Sequence, residues 1–231
     1  MKLSIKKGLV HGMPICLGYL SVSFGFGISA VASGLSVFEA TLISATNLTS
    51  AGQAAGIEII AAAGSYIEMA LTQFIINLRY ALMGISLSQK LDNSYSVPAR
   101  LVTSFGITDE IFAVAYSRNE KVTPVYMLGM ILISLLGWTV GTFLGAVAGT
   151  LLPAILTGAL GIMLYAMFIA IVVPVAKENK KVLLAVGISV ALSVIYKYLL
   201  PFISAGFAII ICAVAASVIA ALIFPLKEEE E

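Results

Sequence analysis

The sequence predicts an all-α polytopic membrane helix bundle with six full spans and two broken or re-entrant segments; eight full spans are the alternative. Three observations predict it. Only 11% of the 231 residues are charged and 60% are apolar, whereas a soluble domain carries about 25% charged residues. Charge is absent from Lys7 to Glu39, from Lys121 to Lys177 and from Lys197 to Lys227. A helix crosses the bilayer core in roughly 20 residues, so the second gap holds two crossings, punctuated at Leu151, Leu152 and Pro153. Third, no alternation every second residue marks the strands of a barrel. Residues 1–231 read as a single membrane domain.

Eight apolar segments follow in order: 9–33, 35–60, 64–89, 101–117, 124–150, 154–176, 182–200 and 202–226. The first follows the basic head MKLSIKKGLV and runs on apolar through Val31 with no small-residue cleavage site, unlike a cleavable signal peptide. Its Ser21, Gly25, Ser29 and Ser33 form a stripe of small residues. In the fifth, Gly137, Gly141, Gly145 and Gly149 recur every four residues. Side chains this small let backbones approach closely, which in lipid takes the place of a hydrophobic driving force. Both stripes are expected to pack helix on helix within the chain, the alternative being the docking of a separate membrane subunit. The last three segments are apolar runs, with Lys197 their one charged residue, ahead of a solvated KEEEE tail at 227–231.

Segments two and four are different. Seven of the ten residues in SATNLTSAGQ (44–53) are polar or Gly, and segment 101–117 is short and carries Thr108, Asp109 and Glu110. Neither suits lipid contact, because irregular backbone at membrane depth is tolerated only inside protein or beside water. Asn47-Leu48-Thr49 matches a glycosylation acceptor only by accident in such a setting.

Lysine and arginine placement sets the orientation. With six spans and a cytoplasmic N-terminus, Lys2, Lys6, Lys7, Lys90, Arg100, Arg118, Lys121, Lys177, Lys180, Lys181 and Lys227 all lie inside. Lys197 then faces out near Tyr196 and Tyr198, and Arg79 is intramembrane. Eight spans move Lys90 and Arg100 outside; both arrangements keep both termini cytoplasmic. The net charge of +1 offers no field for nucleic acid or an acidic partner. Cys16 and Cys212 read as small core hydrophobes, and His11 as a surface group at a helix entrance.

The polar residues within the apolar segments are the candidate solute or ion path. As a helix, 64–89 places Glu68, Thr72 and Arg79 within roughly 40° of one another and Gln73, Asn77 and Tyr80 on a second face. Glu68 and Arg79 are about 16 Å apart along the axis, too far to pair. Arg79 either snorkels to the interface near Lys90 or pairs with Asp109 or Glu110. A charge at the bilayer centre costs about 2.5–3.5 kcal/mol, so two adjacent acids need an explanation. Thr108 could cap a helix that begins at Asp109, with both acids facing the N-terminal dipole. Alternatively the triplet is solvated at the surface, or it lines a cavity where a carboxylate binds an ammonium group or a proton. The 44–53 stretch, with Ser50 and Gln53, could hold a carboxylate at an unwound helix N-terminus. Together two such half-sites would recognise an amino acid.

These motifs resemble the AzlC family, the large subunit of branched-chain amino-acid exporters tied to azaleucine resistance. The resemblance is carried by Gly12 and Pro14, by TSAGQ (49–53), NLRY (77–80), TDEIFA (108–113) and GW (137–138). Tyr80 stands where the family usually has His, and Leu48 to Gln53 match the family's run only in part. The resemblance implies export of branched-chain or similar neutral amino acids, driven by an ion gradient, from the inner (plasma) membrane of a prokaryote. It also implies a small AzlD-type membrane subunit. No cofactor is expected, since the Gly-rich run GTFLGAVAG lacks the Lys of a phosphate-binding loop. Asp109 and Glu110 are the expected ammonium or proton groups, with Thr108 beside them. Arg79 is expected to pair or gate, Asn77, Gln53 and Ser50 to make polar contacts, and Glu68 to lie on the path. A membrane-embedded enzyme using the carboxylates, or a passive channel or scaffold, are the competing classes.

Overall fold

The computed structural model describes residues 3–200 and 202–224. Lys2, Lys227 and the acidic tail, placed in the cytoplasm by the charge argument, lie outside the described residues. All named elements are helices: α1 (Ile5–Ala32), α2 (Val37–Thr46), α3 (Ser50–Ala61), α4 (Tyr66–Ser88), α5 (Val97–Ser104), α6 (Asp109–Tyr116), α7 (Pro124–Leu151), α8 (Ala154–Glu178), α9 (Lys180–Leu199) and α10 (Ala205–Ile223). Five of those described, α1, α4, α7, α9 and α10, are long and apolar enough to cross a membrane. The chain is an all-α polytopic membrane bundle. It divides into two compact units, one of residues 1–54 and 77–164, the other of residues 55–76 and 165–231.

In the first unit α1 and α7 run side by side in the same direction, because contacts advance together along both. A Cβ on Gly8 would lie 2.2 Å from the Tyr126 carbonyl oxygen, one on Gly137 2.4 Å from that of Cys16, and one on Gly145 2.0 Å from that of Phe24. Only glycine permits this spacing, so the α7 stripe does lie at a helix–helix seam. Its counterpart on α1 is not the stripe read from the sequence. Ser21 is exposed, and the seam uses Gly8, Gly12, Cys16, Phe24 and Gly27 instead. Ser4 and Thr123 cap the starts of the two helices, and Thr123 also donates to the Leu3 carbonyl at 2.6 Å. His11 is half-buried and hydrogen-bonded to the Tyr126 hydroxyl at 2.8 Å, so it belongs to this seam and is not a free surface group.

The end of the unit where α1 and α7 begin is stitched together by main chain. Leu91 bridges Val122, Lys90 Nζ donates to the Tyr116 and Arg118 carbonyls, and Lys121 Nζ donates to that of Gln89 at 2.9 Å. The chain therefore leaves this end after Lys90 and is back at it by Val122. Between them, Thr108 meets Tyr19, about 21 Å along α1. Residues 96–116 thus form a hairpin that dips to mid-depth and returns to the face it left. The eight-span alternative needs this segment to traverse, and it does not. Ser96 and Pro98 start α5 earlier than the apolar run at 101, because capping and a fixed proline φ set a helix start independently of hydropathy.

The second unit is built around α9 and α10, joined by a short turn. Glu68, buried at 5% exposure, accepts from the Ser204 hydroxyl and from the Gly206 amide at 2.9 Å. It thereby satisfies donors at the start of α10 that its own helix cannot. A Cβ on Gly206 would lie 2.6 Å from Glu68 Oε1, so a larger residue there would push the Glu68 side chain aside. Along α9 apolar residues such as Val190, Val194 and Leu199 are exposed, as suits contact with lipid.

Candidate functional site

Both sequence interruptions become breaks between short helices. α2 begins at a reciprocal capping box of Ser36 and Glu39 and stops at Asn47, whose backbone is extended. α3 then restarts with Thr49, whose hydroxyl accepts from the Gly52 amide at 3.3 Å. The three-residue gap strands carbonyls at the end of α2, and Gln53 takes them up. Its side-chain amide donates to the Asn47 carbonyl and, at 3.4 Å, to that of Ile43. Its Oε1 accepts from the Trp138 indole at 3.1 Å and the Ser44 hydroxyl at 3.3 Å. Ser44 in turn meets Thr142 of α7 at 2.7 Å. Gln53 is 2% exposed, and buried polar groups are retained where they are fully bonded.

The second break follows α5. Gly106 lies under Ile131, where a Cβ would come within 2.3 Å of the Ile131 side chain. Thr108, extended and 4% exposed, caps α6 by accepting from the Ile111 amide at 3.3 Å. Asp109 and Glu110 thus occupy the first turn, where the helix dipole favours carboxylates. The cap and the pairing occur together. Arg79 Nη1 lies 2.7 Å from Asp109 Oδ2, with the two side chains 44% and 50% exposed. Glu110 does not share that arginine. Its Oε2 lies 2.6 Å from the Tyr19 hydroxyl, which is also 2.6 Å from Thr108 Oγ1.

The two breaks lie at one depth. Tyr19 and Trp138 stack edge to face at 5.2 Å, each about 21 Å along its helix, and they hold the second and first break respectively. Between the breaks is a cavity of about 260 Å³ lined by Thr46, Asn47, Leu48 and Thr49 from one side and Ser104, Phe105 and Ile107 from the other. Asn77 and Tyr80 of α4 close it. Asn77 Oδ1 accepts from Thr49 Oγ1 at 2.7 Å, tying α4 to the first break. Arg79 Nη2 donates to the Tyr80 hydroxyl at 3.4 Å, which links the cavity wall to the ion pair. The lining is polar and carries no ionised side chain; the charges stand just behind it.

Of the eight residues singled out from sequence, Asn77 lines the cavity and Gln53, Arg79, Thr108, Asp109 and Glu110 brace its walls. Ser50 is half-buried at the first position of α3, next to the lining residue Thr49. Glu68 belongs to the other unit, at the start of α10. Sequence reasoning missed Tyr19. Its signal was modest: a phenol in the small-residue first span, which when buried needs a hydrogen-bond partner. Thr49 and Trp138 were visible only as parts of motifs. A smaller pocket of about 130 Å³ is lined by Leu87, Tyr95, Arg100 and Thr103 among others. Burial there pushes the Tyr95 hydroxyl above its ordinary value. No group of His, Cys, Asp and Glu among the described residues is arranged to hold a metal.

Comparison with known proteins bears on this region directly. Residues 14–152 match the family model described as AzlC protein, a stretch that includes both breaks, α4 and α7. The chain is 30% identical over 172 residues to "Inner membrane protein YgaZ" of Escherichia coli (strain K12), covering 71% of this chain and 70% of that one. It is 33% identical over 139 residues to an "Uncharacterized membrane protein" of Archaeoglobus fulgidus, covering 60% of each. No solved structure matches.

Proposed function

The chain belongs to the AzlC family, and on that premise we propose that it is the large subunit of a secondary exporter of branched-chain or similar neutral amino acids. In this reading residues 1–231 work as one transport domain in the inner (plasma) membrane of a prokaryote. Both termini are cytoplasmic, an ion gradient drives efflux, and a small AzlD-type membrane subunit completes the system. The basic residues Lys90, Arg118 and Lys121 at the α1 and α7 entrances support that orientation, because cytoplasmic loops carry the excess of Lys and Arg.

The observation that carries the reading is the meeting of two interrupted helices at one polar cavity. Interrupted helices expose backbone amides at one end and carbonyls at the other, at a depth where no water competes. The amide end of α3 suits a carboxylate, and the carbonyl ends of α2 and α5, with the carboxylates behind them, suit an ammonium group. A cavity of about 260 Å³ falls below the range that holds drug-sized ligands, which fits a single small solute. Asp109 and Arg79 hold the hairpin against α4, Glu110 and Thr108 hold it against α1, Gln53 keeps the first break open, and Asn77 and Ser50 offer polar contacts. Glu68 secures α10.

The test is efflux of preloaded labelled leucine from cells lacking their own exporters, with and without the small subunit, at matched membrane expression. Wild type is expected to export against a gradient and Asp109→Asn to lose most of that activity. Equilibration without accumulation would make the protein a passive channel, and no movement of any neutral amino acid would end the exporter reading.

A further inference from the structure

The two adjacent acids have opposite hydrogen-bonding circumstances. Asp109 faces Arg79, a guanidinium that only donates and does not deprotonate, so a proton on Asp109 would sacrifice the 2.7 Å ion pair. Glu110 faces the Tyr19 hydroxyl, which both donates and accepts. The phenol has one proton and two oxygen neighbours at 2.6 Å, Thr108 Oγ1 and Glu110 Oε2. Two arrangements keep the Glu110–Tyr19 bond. With Glu110 ionised, Tyr19 donates to the carboxylate. With Glu110 protonated, Glu110 donates to Tyr19, and Tyr19 donates to Thr108, which also receives the Ile111 amide. No heavy atom has to move between them. Tyr19 is itself fixed, 7% exposed and stacked on Trp138.

We propose that Glu110 is the residue that binds and releases a coupling proton while Asp109 stays ionised, with Tyr19 as the positioning residue that makes both states of Glu110 tenable. The proposal rests on the exporter reading and names its driving ion. The charged and titratable groups around Glu110 are Tyr19 from α1, Arg79 and Tyr80 from α4 and Asp109 beside it. The nearby α7 ring is Trp138, which does not titrate, while Tyr126 of α7 is engaged by His11. Arg100 of α5 lines the separate smaller pocket.

The experiment uses the full chain with its small subunit in proteoliposomes, following labelled leucine and lumenal pH together. Wild type should move protons with leucine. Glu110→Gln should lower the number of protons moved per leucine, while Glu110→Asp restores part of that ratio. Tyr19→Phe should change the shape of the pH profile of net flux, whereas a merely structural role would lower flux equally at every pH. Infrared difference spectra against pH give a readout independent of flux: the protonated-carboxyl band should vanish in Glu110→Gln and persist in Asp109→Asn. An unchanged ratio in Glu110→Gln, or a band lost with Asp109 instead, would overturn the proposal. If wild type moves no leucine while the band still belongs to Glu110, the exporter reading fails and the proton assignment stands.

Discussion

Replacing Gly145 by alanine should separate α1 from α7. The added Cβ would stand 2.0 Å from the Phe24 carbonyl oxygen and 2.7 Å from its carbonyl carbon, and going from 2.0 Å to an ordinary 3.4 Å contact demands 1.4 Å. Backbone atoms cannot swing aside as a side chain does, so the helices themselves must part. A gap of 0.5–1 Å already forfeits about a quarter to a half of each dispersion contact, and the neighbouring contacts at Gly27 and Gly141 would loosen with it. Overpacking typically costs about 1–3 kcal/mol, and a backbone-on-backbone clash belongs at the upper end. At about 2–4 °C per kcal/mol for a chain of this length, the midpoint should fall by about 6–12 °C. Gly187→Ala is the control, since nothing lies within 4 Å of its Cβ position in α9. There alanine should be neutral or stabilising by about 0.5–1 kcal/mol. Thermal stability in detergent, read by size-exclusion of the surviving fraction, compares the two. Equal midpoints for Gly145→Ala and Gly187→Ala would refute the seam.

Three further outcomes follow from single contacts. Gln53→Leu leaves the Asn47 and Ile43 carbonyls and the Trp138 indole without their partner. At about 1–3 kcal/mol per stranded group it should cost more than about 3 kcal/mol and speed amide exchange across 44–53; unchanged exchange would contradict the bracing role. Exchanging charges by Arg79→Asp with Asp109→Arg should recover stability that either single change loses. For so exposed a pair the coupling should be about 1 kcal/mol or less, and zero coupling in the double-mutant cycle would count against the ion pair. The Ser36 backbone amide, then its hydroxyl, hold the exposed Glu39 carboxyl below its ordinary value near 4.5. The ionised form therefore supports the start of α2 above about pH 4.5, and that support is lost as pH falls through the depressed folded value. Glu39→Ala should be less stable than wild type near neutrality and indistinguishable from it in strong acid, as thermal midpoints across pH would record.

Polarity made the breaks legible. SATNLTSAGQ and the Thr108-Asp109-Glu110 triplet were out of place in apolar surroundings, and each marks the join of two short helices. The glycine spacing on α7 was equally readable, because a four-residue repeat of missing side chains has few uses other than close approach. Its partner face on α1 was not, since small residues announce a near neighbour without saying which side it takes. Ser21 carries the right residue type and faces out. Long-range partners were harder still. Glu68 and Arg79 share one face of α4, yet one holds α10 and the other Asp109, and nothing within α4 distinguishes those fates. The partners of Tyr19 were hidden for the same reason: its role depends on residues about ninety positions away, brought to the same depth by the dipping hairpin.

The central claim is that solute occupies the cavity between the two breaks. Thiol labelling of Thr46→Cys and Ser104→Cys in the full chain tests it most directly, with Gly187→Cys as the control. The native Cys16 and Cys212 are buried, which keeps the background low. Leucine should slow labelling at 46 and 104 and leave 187 unchanged. Equal labelling with and without leucine at both cavity positions, in protein that still transports it, would place the solute elsewhere and contradict the account.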